Sequence, residues 1–499
     1  MSIKIWEQIL HNQNIRQNLS KLRQELKDDR NKTVFLNQIA DKEDQLIVLL
    51  KHVDAKIRKN TALLMGELGE QKFLKPIYKA YESEDQMFVK SSYLVAIRNF
   101  DYGEYLVDFK KRLEVLTKTE MTMETQKHLM EEIRELSLLV INRESISKHE
   151  FLGREKDYDI ILLTNRNFQE VTMEELKELE PNAVTKVFNA GIMAKVKNLD
   201  WLNDIRTFQE ILFVIKGMGT CPLDTEKAAE IIVKSDLLRF LEHNHQGVQP
   251  YYFRVEIKSK MDLDKKSVFT KRLSSRIEQL SNRNLVNTTA HYEFEIRLIE
   301  NKKGNCNVLV KLHTLKDERF TYRKEVIPTS IKPVNAAIIV KLTKEYMKEE
   351  ALVLDPFCGV GTMLVERHKA VRANTSYGID IQSEAIEKAR KNAKAANQIV
   401  HFINRDFFDF KHKYLFDEII TNMPFQIGRK TQEEIDKLYS EFFLAAKGHL
   451  KDDGIMILYS HDRENIKQMV HRYGFCILRE IEISLKEETY VFVLKKGTQ

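Results

Sequence analysis

Three kinds of hydrophobic pattern follow one another along the chain. Up to about residue 150, apolar residues recur at helical spacing with almost no glycine or proline between them. The run from Asp54 to Gly69 opens on an acid, carries apolar residues at helical spacing and stops at a glycine, which predicts one helix. About 31 residues further on, Asp85 to Phe100 repeats it loosely, with Phe88, Lys90, Leu94 and Ala96 at equivalent places. That period predicts helical pairs stacked into a solenoid, with an irregular helical bundle as the alternative. The pattern changes at 150–157, where Lys148-His149-Glu150 and Arg154-Glu155-Lys156-Asp157 bracket a short apolar piece. Beyond it, strands are expected at Asp159–Thr164, Arg206–Ile215, Tyr251–Ile257, His291–Ile299 and Asn307–His313, the third and fourth alternating with period two. A hairpin is expected around Asn189-Ala190-Gly191, an amphipathic helix over Val171–Leu179 and a basic helix over Phe269–Ile277. From Ala351 the pattern changes again, to short continuous apolar runs separated by helical stretches, the signature of a buried parallel sheet.

The first of these runs, Ala351-Leu352-Val353-Leu354, leads into Asp355-Pro356-Phe357-Cys358-Gly359-Val360-Gly361-Thr362 and then a helical stretch. A strand that turns through two glycines into a helix lets a ligand approach the bare backbone. An acid at the strand end is the wrong sign for cradling a phosphate but the right sign for the ammonium of an amino acid. That points to S-adenosylmethionine rather than a nucleotide phosphate. Tyr377-Gly378-Ile379-Asp380 ends a second strand in a carboxylate placed to grip ribose hydroxyls. Asn404-Arg405-Asp406 follows a third, facing the adenine, and Phe416–Thr421 leads into Asn422-Met423-Pro424-Phe425. Strand-end residues in this order form the crevice of a doubly wound α/β domain.

On these motifs, residues 328–499 resemble the class I methyltransferases whose fourth motif is of the Asn-Pro-Pro-Phe/Tyr type and whose target is an amine nitrogen, with Met423 in place of the first proline. The run Asn422 to Gly428-Arg429-Lys430 and the upstream Ile327–Ala336 resemble the THUMP-domain guanosine methyltransferases of tRNA. The element order over 157–326 resembles the ferredoxin-like subdomain plus THUMP domain of the same family, and residues 1–150 look like HEAT-type repeats. The resemblance implies a chain of three parts: an α-helical HEAT-like region, an α+β THUMP-like module and a Rossmann-like α/β methyltransferase domain. It also implies that the THUMP-like module reads the tRNA acceptor end and that Thr329, Ser330 and Lys332 form a wall over the cofactor. The residues assign Asp355, Gly359 and Gly361 to the methionine moiety, Asp380 to the ribose and Asp406 to the adenine. Asn422, Met423, Pro424 and Phe425 are the candidate catalytic set. The candidates for contacting RNA phosphates are Arg254, Lys271, Arg272, Arg276, Arg323 and Lys324, with Arg429 and Lys430 near the target.

Charge changes this picture little. Lys+Arg 80 against Asp+Glu 74 leaves a net +6, which permits a nucleic-acid partner without requiring one. The basic residues Lys56, Arg58, Lys59, Lys90 and Arg98 of the repeats form either a docking face for RNA or protein or simply a solvated side of the repeats. Four scattered cysteines without a Cys-x-x-Cys pair argue against a zinc site or a disulfide framework and for a cytoplasmic chain. No stretch is long and apolar enough to span a membrane. Three functions remain open: a tRNA or ribosomal RNA guanosine methyltransferase, an adenine or glutamine amino-methyltransferase, and a non-catalytic ribonucleoprotein scaffold.

Overall fold

The computed structural model describes residues 2–40, 42–118, 125–143, 149–426 and 431–497. They form two compact units, Met1–Lys148 and His149–Gln499. In the first, the regular elements among the described residues are all helical. The helices Ile15–Glu25, Ala55–Leu68, Met87–Ile97 and Gln126–Arg143 pack one against the next. Ser2–Leu10, Leu74–Ser83 and Leu106–Lys118 lie against the first, third and fourth of them. Asp54 caps the second helix by accepting the Lys56 N–H at 2.8 Å. Gly66 lets it approach its neighbour: a Cβ there would lie 2.7 Å from the Ala96 Cα.

The basic face expected on this unit is largely taken up internally. Arg58 holds the buried Glu84, Arg98 holds Glu135 at 2.7 Å, and Lys90 donates to the Tyr81 carbonyl at 3.0 Å. Each guanidinium follows a carboxylate that the next helix buries, because an unpaired acid there would be costly. Lys56 is exposed and Lys59 half-buried.

The second unit carries two large sheets, besides a two-stranded pairing of Glu150–Phe151 with His245–Gln246. The nine-stranded sheet runs in the order Val184–Phe188, Gly191–Val196, Tyr158–Thr164, Phe208–Phe213, Cys306–Leu312, Phe294–Glu300, Tyr251–Lys258, Leu285–Asn287, with Thr220–Cys221 beside the Cys306 strand. Alternation sorts its faces: Ile160 and Leu162 join the core beneath Thr225–Lys234 and Leu263–Leu280, whereas Ile161 joins Leu212 and Leu309 on the opposite side. The basic helix is longer than its sequence pattern suggested, and the Phe208 and Phe294 strands start two or three residues later than expected.

The seven-stranded sheet comprises β1 (Ala351–Asp355), β2 (Ala373–Asp380), β3 (His401–Asn404), β4 (Phe416–Asn422), β5 (Leu450–Ser460), β6 (Phe475–Ser484) and β7 (Thr489–Lys496). Their order is β3-β2-β1-β4-β5-β7-β6, all parallel except β7. Helices α1 (Thr362–Ala370), α2 (Ser383–Ala395), α3 (Gln432–His449) and α4 (Arg463–Tyr473) make the crossovers. The order reverses between β1 and β4, which opens a crevice at their carboxyl ends. The two sheets are pinned together by Glu366 on α1, which is 1% exposed. It accepts two bonds of 2.7 Å from Arg206 and one of 2.6 Å from the Tyr322 hydroxyl.

Candidate active site

The site begins where β1 ends. Asp355 is buried, and its Oδ1 accepts the Thr421 hydroxyl at 2.6 Å and the Phe357 N–H at 3.1 Å. Burial, reinforced by the nearby Asp380 charge, nevertheless pushes its pKa up to about 7. The turn that follows needs its glycines. Gly359 and Gly361 have φ of 53° and 80°, and a Cβ on Gly361 would lie 2.9 Å from the Phe402 ring. Asp380 at the end of β2 fastens this turn, accepting the Gly359 N–H at 3.0 Å through Oδ2 and the Gln382 N–H at 2.9 Å through Oδ1. Asn404 at the end of β3 donates to the carbonyls of Asp380 and Ile381 at 3.0 and 2.9 Å. Asp406 accepts the Phe408 N–H at 3.0 Å. These bonds set the strand ends side by side, with Asp355, Gly359, Gly361, Asp380 and Asp406 along one edge.

Across the crevice, Asn422 ends β4 opposite Tyr459 of β5. Its Oδ1 is buried and has no hydrogen-bond partner among the described residues. The Met423 N–H donates to the Tyr459 carbonyl at 2.8 Å, and the Met423 side chain is fully buried. The Pro424 carbonyl accepts the Tyr439 hydroxyl at 3.1 Å, which also meets Ser460 Oγ at 3.0 Å. Phe425 is half-buried against the His461 ring.

The segment assigned from the sequence as a wall over the cofactor, Thr329, Ser330 and Lys332, leads into the helix Pro333–Thr343. Ser330 Oγ accepts the Ile327 N–H at 3.1 Å, and Thr329 and Lys332 are exposed. Ile327 is the residue that approaches the glycine turn, 3.9 Å from where a Gly359 Cβ would lie. Several groups not singled out from the sequence also line this region. Ile381 is exposed beside Asp380, and Phe408 is partly so beside Asp406, giving apolar surface next to each acid. The Thr362 hydroxyl at the start of α1 is buried without a partner among the described residues. An orphaned buried hydroxyl or amide oxygen is a signal that only coordinates provide.

The basic candidates divide. Lys271, Arg272 and Lys324 are exposed and form no ion pair among the described residues. Arg254 is turned to protein partners instead: it pairs with Glu295 and lies over the Tyr292 ring. Burial would raise the pKa of Glu295, but His313, Arg297 and Arg254 together hold it far below the usual carboxylate range. Arg276 pairs with Glu226 at 2.6 Å, and Arg323 donates to the Ile331 carbonyl at 3.1 Å, with burial lowering its pKa. Arg429 and Lys430 lie outside the described residues.

S-adenosylmethionine supplies a methyl group carried on a sulfonium, and the residues present fit it: a buried carboxylate for its ammonium, a second acid with an apolar neighbour for its nucleoside, and an orphaned hydroxyl at the turn. The fold and this site define a methyltransferase domain dependent on S-adenosylmethionine. Residues 321–482 match the model of the RMKL-like methyltransferase domain, and residues 226–391 match a DNA methylase model. Over 134 residues the chain is 31% identical to a tRNA (guanine(10)-N2)-dimethyltransferase of Methanothermobacter thermautotrophicus, covering 26% of this chain and 38% of that protein. The chain therefore spans well under half the length of that relative. Two solved structures share the fold: TrmN from Thermus thermophilus (TM-score 0.50, 18% identity, 68% of this chain and 99% of that one) and SMU.472, complexed with SAH (TM-score 0.54, 16% identity, 69% and 99%).

Proposed function

We propose that the protein transfers the methyl group of S-adenosylmethionine to the exocyclic 2-amino group of a guanosine in tRNA. The observation that carries this reading is the orphaned Asn422 Oδ1, an acceptor buried at the strand end with Phe425 three residues on. In guanine the lone pair of that amine is delocalised into the ring, which makes it a poor nucleophile. Asn422 Oδ1 and the Met423 carbonyl each accept one N–H of the amine, drawing the nitrogen towards tetrahedral geometry and freeing the lone pair. Such preorganised acceptors gain strength from exclusion of water. Pro424 holds Met423 extended, so that its carbonyl faces the site. Phe425 stacks on the base, which has to leave its helix to reach the crevice. No strong general base is required, because the proton leaves after transfer.

The similarity to the Methanothermobacter tRNA (guanine(10)-N2)-dimethyltransferase supports guanosine in tRNA, and the sequence resemblance supports THUMP-like recognition of the acceptor end by 157–326. Lys271, Arg272 and Lys324 are the phosphate contacts on this reading, whereas Arg254, Arg276 and Arg323 hold the module together. Residues 1–150 are read as a HEAT-like docking region, 328–499 as the catalytic domain and the cytoplasm as its compartment. The DNA methylase match favours a second reading, an adenine amino group, which the same acceptors serve.

The test is methyl transfer from labelled S-adenosylmethionine to separate pools of tRNA, ribosomal RNA and DNA, with nucleosides identified by mass spectrometry. Label in tRNA as guanosine methylated on its 2-amino group is expected. Asn422→Ala should lower kcat by about 10²–10³ while leaving cofactor affinity intact. Full turnover in that variant, or label only as methyladenosine, would overturn the reading.

A further inference from the structure

Phe425 is half-buried, with one face packed on a neighbouring ring. The His461 ring lies against it with centroids 4.1 Å apart and planes 30° from parallel. That imidazole is itself fixed on two sides. Its Nδ1 is 3.1 Å from the Glu487 carbonyl in the turn between β6 and β7, and a contact to a carbonyl requires that Nδ1 carry the proton. The edge of Tyr459 packs on it with centroids 6.0 Å apart. Tyr459 is the residue whose carbonyl holds the Met423 N–H. His461 thus ties Phe425 to the same strand that anchors the backbone before it. We propose that His461 is a positioning residue, holding the Phe425 ring in the plane in which its other face receives the target base. The inference rests on the reading of Phe425 as the base-stacking residue. It goes beyond that reading by assigning the group that sets the plane, which lies outside the Asn-x-Pro-Phe motif and just past the end of β5.

Stacking of a base on an aromatic ring loses much of its strength when the ring rotates freely, since its overlap depends on orientation. Replacing His461 therefore acts on the nucleic acid and not on the cofactor. The experiment uses the full chain with His461→Ala, His461→Phe, Phe425→Ala and the double variant His461→Ala/Phe425→Ala. For each, kcat and KM are measured on whichever nucleic acid the wild type labels, and S-adenosylhomocysteine affinity by calorimetry. His461→Ala is expected to lower kcat/KM by about tenfold with S-adenosylhomocysteine affinity unchanged, and His461→Phe, which keeps the stack, to stay within about threefold of wild type. The double variant should match Phe425→Ala, because His461 has nothing left to hold. Additive losses in the double variant, wild-type turnover in His461→Ala, or a His461→Phe variant as impaired as His461→Ala would each overturn the proposal. So would a pH profile that loses a limb in His461→Phe, since that would make the imidazole a proton carrier. Label found in DNA adenine would overturn guanosine in tRNA while the four variants still test His461, which needs only an extruded base. Label confined to protein would overturn both.

Discussion

Cofactor binding is expected to depend on pH near neutrality through one residue. Asp355 is fully buried, and burial followed by the Asp380 charge raises its pKa from 3.8 to about 7, against the bonds from Thr421 and the Phe357 N–H that favour the ion. Only the ionised carboxylate attracts the ammonium of the cofactor, so the apparent affinity scales with the ionised fraction. That fraction is about 0.1 at pH 6 and about 0.8 at pH 7.5, an increase of about eightfold in affinity, or about 1.2 kcal/mol. Titration of S-adenosylhomocysteine into the full-length protein between these values, at constant ionic strength, measures it. Asp355→Asn, of nearly the same shape but uncharged, should bind weakly with a flat profile. Stability of the cofactor-free protein moves the opposite way. The folded state holds this proton more tightly than the unfolded chain, so the contribution is complete below about pH 4 and is lost as pH rises through about 7. Added S-adenosylhomocysteine should accordingly raise the melting temperature more at pH 7.5 than at pH 6. A flat wild-type profile, or an unchanged slope in Asp355→Asn, would refute the assignment of this carboxylate to the ammonium.

Three further perturbations separate packing from recognition. Gly66→Ala places a methyl 2.7 Å from the Ala96 backbone, and overpacking of about 1–3 kcal/mol should outweigh the helix propensity gained. A melting temperature equal to or above wild type would contradict the close approach. Arg206→Ala leaves the buried Glu366 with only the Tyr322 hydroxyl, at a cost of about 3 kcal/mol, the lower end for a buried pair because the Arg206 side chain is 18% exposed. Denaturant unfolding should show that loss, and Arg206→Met/Glu366→Met should recover most of it; no recovery would mean that the charges themselves are needed. Lys271→Ala, Arg272→Ala and Lys324→Ala should each weaken RNA binding and lower the salt slope by about 0.7–0.9, whereas Arg254→Ala should lower stability more than the slope. The reverse ranking would return Arg254 to the RNA-facing set.

What the sequence made legible follows from how far each feature reaches along the chain. The strand, the glycine turn and the acid of Asp355–Gly361 are set by neighbours in sequence, so their roles can be argued from spacing and sign. The same holds for the glycine stop at Gly69 and the hairpin around Asn189-Ala190-Gly191, which the structure closes between Phe188 and Gly191. Arg254 is different. Its partner Glu295 lies on a strand about 40 residues away, and nothing local distinguishes a guanidinium that faces solvent from one that answers a buried acid. Arg58, Arg98 and Arg276 were ambiguous for the same reason. Ile327 and Thr362 became visible only once the turn was folded, because a close approach and an orphaned hydroxyl are properties of packing.

Met423 shows how a departure from a motif can be balanced elsewhere. A proline at this place restrains φ through its ring but has no N–H to give. Methionine gives up the ring and gains a donor, which the Tyr459 carbonyl accepts at 2.8 Å, continuing the ladder between β4 and β5 past Asn422. Its side chain enters the core with Leu354, Phe407 and Leu458, so rotation about the backbone would pull a fully buried chain out of contact. The following Pro424 still biases Met423 towards an extended conformation, and Tyr439 fixes the carbonyl beyond it. Three tertiary contacts thus restrain the backbone where one covalent ring would have done so. That makes the proposed catalytic loop depend on the integrity of β5 and α3, which carry Tyr459 and Tyr439, and on the proposed reading it places the support of the reaction in residues that no local motif contains.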